Sequence, residues 1–423
     1  MPARNRTCSA RLALTTLAWI MASGQGIAEP VLRIGGDSDP VLLGIMQGYP
    51  LAADKQATLE NWLDFPFNRW AFRNMRSLFP TGSVERDGPI AVLDEGPELD
   101  VASLRFKYDD GSTITGEQYF ERENVDAFIV LHRGRVVYEG YFASMQPDEV
   151  HLWQSMTKSI TGLLAEMLAQ NGELDLSQTA GYYVPEIAAT VWGQATLRDL
   201  LDMEVNVSEP STKAAALPKD FWRTANFKAT LMDPAAQQAG ANGDVWYYTN
   251  SAPTTLGLVM TSVTGKSWHR LTEELLWTRI GAEAEGNIWL DTDGQGAAAG
   301  GFSSTLRDAA RLAEFVRLGG TGSSVETATI ETLRAPAGNS ALTAAGNVAM
   351  LKLRPDMSYK SYWYQVNDGE RSLEALGIFG QHMYVNPTAE ISIVQFASYP
   401  NPAPNSLNWA GLTAAIVTEL EGR

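Results

Sequence analysis

Strand-forming stretches stand towards both ends of this chain and helix-forming stretches fill the middle, which restricts the fold more than any other feature. In the first half, Ala127-Phe-Ile-Val-Leu131 and Val136-Val-Tyr-Glu-Gly-Tyr-Phe142 flank Arg133-Gly134, the pattern of a hairpin. Near the end, Gly377–Pro387 and Glu390–Phe396 read as a second hairpin, and Trp409–Leu420 as a closing helix. No internal repeat or low-complexity linker divides the chain. The hairpins are therefore expected in one antiparallel sheet flanked by helices. This is an α/β (α+β) fold: a single domain over residues 29–423, with a helical insert at about 160–300. Within the insert, residues 205–244 are rich in Ala, Gln, Pro and Gly and are expected to be all-helical. The aromatic-rich stretch Asn61–Pro80 is expected to pack onto this domain, and Thr305, three residues before Asp308, to cap a helix.

Between the hairpins lies His151-Leu-Trp-Gln-Ser-Met-Thr-Lys-Ser-Ile160. From there Ile160, Leu163, Leu164, Met167 and Leu168 follow helical spacing, and Asn171-Gly172 supplies the stop. Ser155 and Lys158 stand three apart at the mouth of that helix, hence on one face. Lys158 is the only lysine with a serine three residues before it. A serine hydroxyl becomes a nucleophile when a neighbouring base takes its proton, and an amine of lowered pKa can do so. The helix N-terminus favours a developing oxyanion nearby. Taken alone, the four residues also fit an ordinary first turn with a solvated lysine.

The N-terminus reads as a secretory signal over residues 1–28. Arg4, Arg6 and Arg11 precede an apolar run, Leu12–Ala22, and a small-x-small site ends at Ala28. That run is too short to span a bilayer, which takes about 20 residues. The sole cysteine, Cys8, lies within the signal segment, ahead of that run, so the mature chain is expected to form no disulfide and to use no thiolate. The four histidines are scattered, which gives no support to a zinc site. A net charge of −17 argues against nucleic acid as a partner.

Tyr248-Thr249-Asn250 lies between a Gly-rich polar loop and the apolar run Leu256–Val263, a place that suits a residue projecting into a cleft. A tyrosine can serve as general acid or base when a nearby cation lowers its pKa. Tyr-x-Asn recurs at Tyr384 and Tyr399, where packed strand tyrosines are expected. Gly265-Lys266-Ser267 is no phosphate loop, because Met260 stands where its first glycine belongs.

Ser155-x-x-Lys158, then Tyr248-x-Asn250, then a C-terminal edge strand resembles the serine β-lactamase and penicillin-binding protein superfamily, class C-like. The stretches Val130–Phe142, Gly300–Asp308 and Gly377–Gln381 look like its 6-aminohexanoate-dimer hydrolase branch. The resemblance covers roughly residues 60–420. It implies a β-lactamase/transpeptidase-like fold and an acyl-enzyme on Ser155, with Lys158 as proton acceptor. It implies that Tyr248 protonates the leaving group and then activates water, and that Asn250 orients Lys158 and substrate. The oxyanion hole would join the backbone N–H groups of Ser155 and Ile378. No metal or organic cofactor is called for. The chain has no Lys-Thr-Gly, and the stretch aligned with the superfamily's Lys-Thr-Gly or His-x-Gly is Gly377-Ile-Phe-Gly-Gln381. His382 lies just beyond, facing either the cleft or the other side of the sheet, with a satisfied structural histidine expected. The expectation is a secreted, periplasmic serine hydrolase of small amides or esters. The alternatives are a β-lactamase or D-alanyl-D-alanine carboxypeptidase, and a non-catalytic envelope-binding protein of the same fold. Oligomeric state is left open.

Overall fold

The structure is a computed structural model that describes residues 34–208, 224–337, 357–402 and 406–422. The segment read as a secretory signal lies outside these residues. In chain order, the elements that position the site begin with helix α1 (Phe67–Ala71) and strand β1 (Thr81–Val84). There follow β2 (Val125–His132), β3 (Arg135–Tyr141), β4 (His151–Leu152) and helix α2 (Thr157–Gln170). The central part supplies α3 (Leu197–Leu201), α4 (Ser251–Thr264), β5 (Gly286–Trp289), β6 (Phe302–Ser304), α5 (Leu306–Leu318) and α6 (Ser324–Arg334). The last part supplies β7 (Met357–Lys360), β8 (Trp363–Val366), β9 (Ser372–Gly377), β10 (Gln381–Asn386), β11 (Ile391–Ala397) and α7 (Ser406–Glu421).

The two hairpins do meet in one sheet. Its order is β7-β8-β9-β10-β11-β2-β3, every pair antiparallel, with Ile393 opposite Val130 at the junction of the two ends. The first hairpin turns on Arg133 (φ 53°) and Gly134 (φ 75°). Positive φ at both central residues is what a two-residue turn needs to match strand twist. A smaller sheet, β1-β5-β6-β4, holds the strand that leads into Ser155.

The second hairpin differs from its expected bounds. Gly377 ends β9 rather than opening the next strand, and a turn through Ile378–Gly380 separates it from β10. Phe379 (φ 62°) and Gly380 (φ 90°) reverse the chain there, and a Cβ on Gly380 would lie 2.3 Å from the Tyr399 ring. Residues 205–244 also depart from an all-helical reading. Their described part holds one short helix, Phe227–Leu231, and a two-residue pairing of Val207–Ser208 with Gln237–Gln238. Its Gly, Pro and Gln content gives no continuous apolar face from which a longer helix could draw tertiary support.

Helix α2 is more deeply enclosed than its apolar stripe implies, since every residue from Thr157 to Leu168 is buried. Its polar side chains are buried with partners. Ser159 donates to the Tyr362 carbonyl (2.8 Å), Thr161 to the Ala298 carbonyl (2.8 Å), and Glu166 accepts from Arg198 (2.8 Å). Burial with a partner is what keeps such groups from costing stability. Thr305 caps α5 through the Asp308 N–H, as expected. The Asp308 carboxylate accepts from the Thr305 hydroxyl (2.9 Å) and also from the Glu283 and Ala284 N–H groups and Arg311. The aromatic stretch packs inward as expected, burying Trp62, Phe72 and Phe79. Tyr384 and Tyr399 are likewise buried.

Candidate active site

Ser155 sits in a 3-10 turn, Gln154–Met156, directly ahead of α2. The turn is pinned from behind. Trp153 donates its backbone N–H to the Phe302 carbonyl (2.8 Å) and its indole N–H to Ser304 Oγ (3.0 Å), both on β6. Gln154 adopts φ 48°, a left-handed conformation that few non-glycine residues take up and that recurs at strained functional turns. The Ser155 side chain is partly accessible, whereas Lys158 is almost fully buried at 1% exposure.

The Lys158 Nζ has three polar neighbours: Ser155 Oγ at 3.0 Å, Asn250 Oδ1 at 2.8 Å and the Ala299 carbonyl oxygen at 2.6 Å. Two of these accept only, and the third is a hydroxyl. A neutral amine has two N–H bonds and one lone pair, so it can donate to Asn250 and Ala299 while accepting the Ser155 O–H. Burial lowers the Lys158 pKa from 10.5 to about 7, because the low-dielectric surroundings penalise the ammonium form. The neutral amine is thus a major species near neutral pH.

Tyr248 hydrogen-bonds Ser155, and its ring centroid lies 4.9 Å from Lys158 Nζ. Trp246 supports it from behind (5.7 Å between centroids) and packs in turn on Tyr359 (5.2 Å). The expected lowering of the tyrosine pKa by a nearby cation does not occur. Burial pushes it up to about 12, against the pull of the Ser155 hydrogen bond, and Lys158 offers little permanent charge to oppose that rise. The two groups are driven apart, Lys158 towards a base and Tyr248 towards an acid. Asn250, at the head of α4, fixes Lys158 from the same loop.

The fifth predicted position, Ile378, follows the last residue of β9. Gly377 brings that strand against the Ser155 turn: a Cβ on Gly377 would meet the Trp153 carbonyl at 2.5 Å and Gln154 Cβ at 3.2 Å. Only glycine permits this approach. His382 is buried on β10 and stacks on Trp409 of α7, with centroids 4.7 Å apart and planes 10° apart. It faces the C-terminal helix. The Ala299 carbonyl was missed, since a backbone oxygen leaves no mark on residue identity. The Gly300-Gly301 pair beside it was the nearest available signal.

The beta-lactamase family model matches residues 120–417. The chain belongs to the beta-lactamase family. It is 29% identical over 391 residues to the 6-aminohexanoate-dimer hydrolase of Paenarthrobacter ureafaciens, covering 88% of this chain and 95% of that one. A Bacillus anthracis structure described as a 6-aminohexanoate-dimer hydrolase superposes with a TM-score of 0.76 at 26% identity, covering 88% of this chain and 98% of its own. A class C beta-lactamase from Rhodobacter sphaeroides, at 17% identity and a TM-score of 0.52, shares the fold over 72% of this chain and 97% of its own. Within the beta-lactamase family this chain is a serine hydrolase. Among the described residues no cluster of His, Cys, Asp and Glu could hold a metal ion, and no helix is long and apolar enough to cross a membrane.

Proposed function

We propose that the protein is a secreted, periplasmic hydrolase of small amides or esters that works through an acyl-enzyme on Ser155. The observation that carries the reading is the buried amine of Lys158, 3.0 Å from Ser155 Oγ and tied to two acceptors on its other sides. In acylation Lys158 takes the Ser155 proton as Oγ attacks the substrate carbonyl, and the oxyanion forms against the Ser155 and Ile378 N–H groups. Tyr248 gives its proton to the departing amine or alkoxide, and its phenolate then takes a proton from the deacylating water; as that oxygen displaces Ser155 Oγ from the acyl carbon, Lys158 returns its proton to Oγ. Asn250 holds Lys158 in place throughout.

The substrate class follows from β9, which the structure places inside the sheet, between β8 and β10, and not at its edge. Ala375-Leu376-Gly377 precedes Ile378 and supplies no cation for a substrate carboxylate. That favours linear amides and esters over penicillins and cell-wall peptides. The names of the two hydrolase relatives agree, because an amide joins the halves of a 6-aminohexanoate dimer. The test is intact-protein mass after fluorophosphonate treatment, for wild type and Ser155→Ala, followed by a panel of esters, amides and penicillins. The expected result is one adduct on wild type only, with ester or amide turnover. No adduct on folded wild type would return the chain to a binding role, and turnover confined to penicillins would make it a β-lactamase. Cell fractionation tests the export claim.

A further inference from the structure

The two backbones of the proposed oxyanion hole come from opposite ends of the chain, and a third segment, outside the family-matched region, touches both. Phe72 follows α1 and is fully buried. Its carbonyl accepts the Leu152 N–H at 2.8 Å, three residues ahead of Ser155. Its ring meets His151 edge-on at 5.8 Å and Phe379 at 5.3 Å, the residue after Ile378. Nearby, Asn68 donates to the Tyr399 carbonyl (3.0 Å), and the Tyr399 N–H is bonded to the Phe379 carbonyl (3.2 Å).

The helix that presents Phe72 is itself anchored by buried charge. Arg69 donates to Asp126 (2.7 Å) and the Val125 carbonyl (2.9 Å), and Arg73 pairs with Asp126 and the Ala143 carbonyl. Asp126 also holds His151 Nε2 at 3.2 Å. Breaking a buried pair of this kind is strongly unfavourable, so α1 has little freedom to shift. Phe379 is meanwhile held at φ 62°, a conformation a bulky side chain resists unless its surroundings impose it.

We infer that Phe72 is a positioning residue for catalysis: it bridges the Ser155 turn and the Ile378 turn and sets the spacing of the two oxyanion N–H donors. The inference rests on the reading of Ser155 and Ile378 proposed above. Gly377 against Trp153 limits how closely the two backbones approach, and Phe72 ties them together. A misplacement of about 1 Å at reacting groups can cost about 100-fold in rate.

The experiment compares Phe72→Leu with Phe120→Leu, using a neutral ester that wild type turns over. Phe120 is equally buried but packs on Phe128, Tyr138 and Phe142, away from the site. Both variants should lose thermal stability. Phe72→Leu should also lose about 10- to 100-fold in kcat with KM within about twofold, and keep the acid-limb midpoint of wild type, because the neighbours of Lys158 are untouched. Phe120→Leu should keep kcat. Wild-type kcat in Phe72→Leu, or an equal loss in Phe120→Leu, overturns the inference. Should Phe72→Leu fail to fold, Phe72→Met is read in the same way. Ser155→Ala run in parallel separates the two claims. Full activity there defeats the nucleophile assignment itself, whereas an inactive Ser155→Ala beside a fully active Phe72→Leu defeats only the role of Phe72.

Discussion

If burial makes Lys158 the base, the rate of Ser155 modification must follow the titration of an amine near pH 7. With the pKa lowered from 10.5 to about 7, roughly half of the lysine is neutral at pH 7. An unperturbed lysine would be neutral to only about 3 parts in 10,000. Burial therefore raises the supply of base about 1,000-fold, worth ~4 kcal/mol. The neutral, active form rises with pH, from about a tenth at pH 6 to about nine-tenths at pH 8. The second-order rate of phosphonylation, followed by intact mass from pH 5.5 to 9, should climb about tenfold over that interval and then level off.

Another group falls in the same window. Glu204 is pushed up to about 7 by desolvation first, and then by the nearby Asp202 and Asp199. Two controls separate it from Lys158. Glu204→Gln should leave the midpoint in place, and warming should lower the midpoint, because amine ionisation is strongly endothermic and carboxylate ionisation nearly athermal. A flat rate from pH 6 to 8 would refute the reasoning. So would a midpoint that ignores temperature and moves with Glu204.

Three further outcomes follow from the same geometry. Asn250→Ala removes an acceptor 2.8 Å from Lys158 Nζ that favours the ammonium over the amine, so the acid limb should move below pH 7 while kcat falls about tenfold. Gly377→Ala places a Cβ 2.5 Å from the Trp153 carbonyl and forces the two backbones apart; kcat should fall more than tenfold with KM little changed. Lys158→Met reports on burial through stability. Between about pH 7 and 10.5 the unfolded wild type carries one more proton at this site than the folded form, so wild-type stability rises with pH in that window and the full cost of burying the ammonium applies below it. The Met variant has no such term, and its stability relative to wild type should fall by about 3 kcal/mol from pH 7 to 10, measured by urea unfolding at the two pH values.

What could be read in the sequence was what is local. Ser155 and Lys158 announce themselves because one helical turn joins them, and the turn at Arg133-Gly134 because the residues that permit positive φ there are few. Tyr248 and Asn250 were legible only as a second motif in the right order, since nothing in a linear pattern says that α4 and α2 bring their N-termini together. The misplaced start of the second hairpin has a related cause. Gly377 and Gly380 look alike in sequence, yet one is glycine because Trp153 crosses it and the other because the chain reverses beneath Tyr399.

The third acceptor of Lys158 shows where residue identity stops carrying information. Ala299 takes part through its carbonyl, so the side chain at that position is free to vary without touching the contact. Its placement depends on a tight turn, in which a Cβ on Gly301 would lie 2.5 Å from Ala297 Cβ. The direction of the Tyr248 shift is hidden in the same way. A neighbouring lysine suggests a cation that would lower the phenol, but the burial that neutralises Lys158 removes that cation and raises Tyr248 as well. One desolvated pocket thus moves both groups in opposite directions on the pH scale, and the division of labour between base and acid belongs to the pocket as a whole.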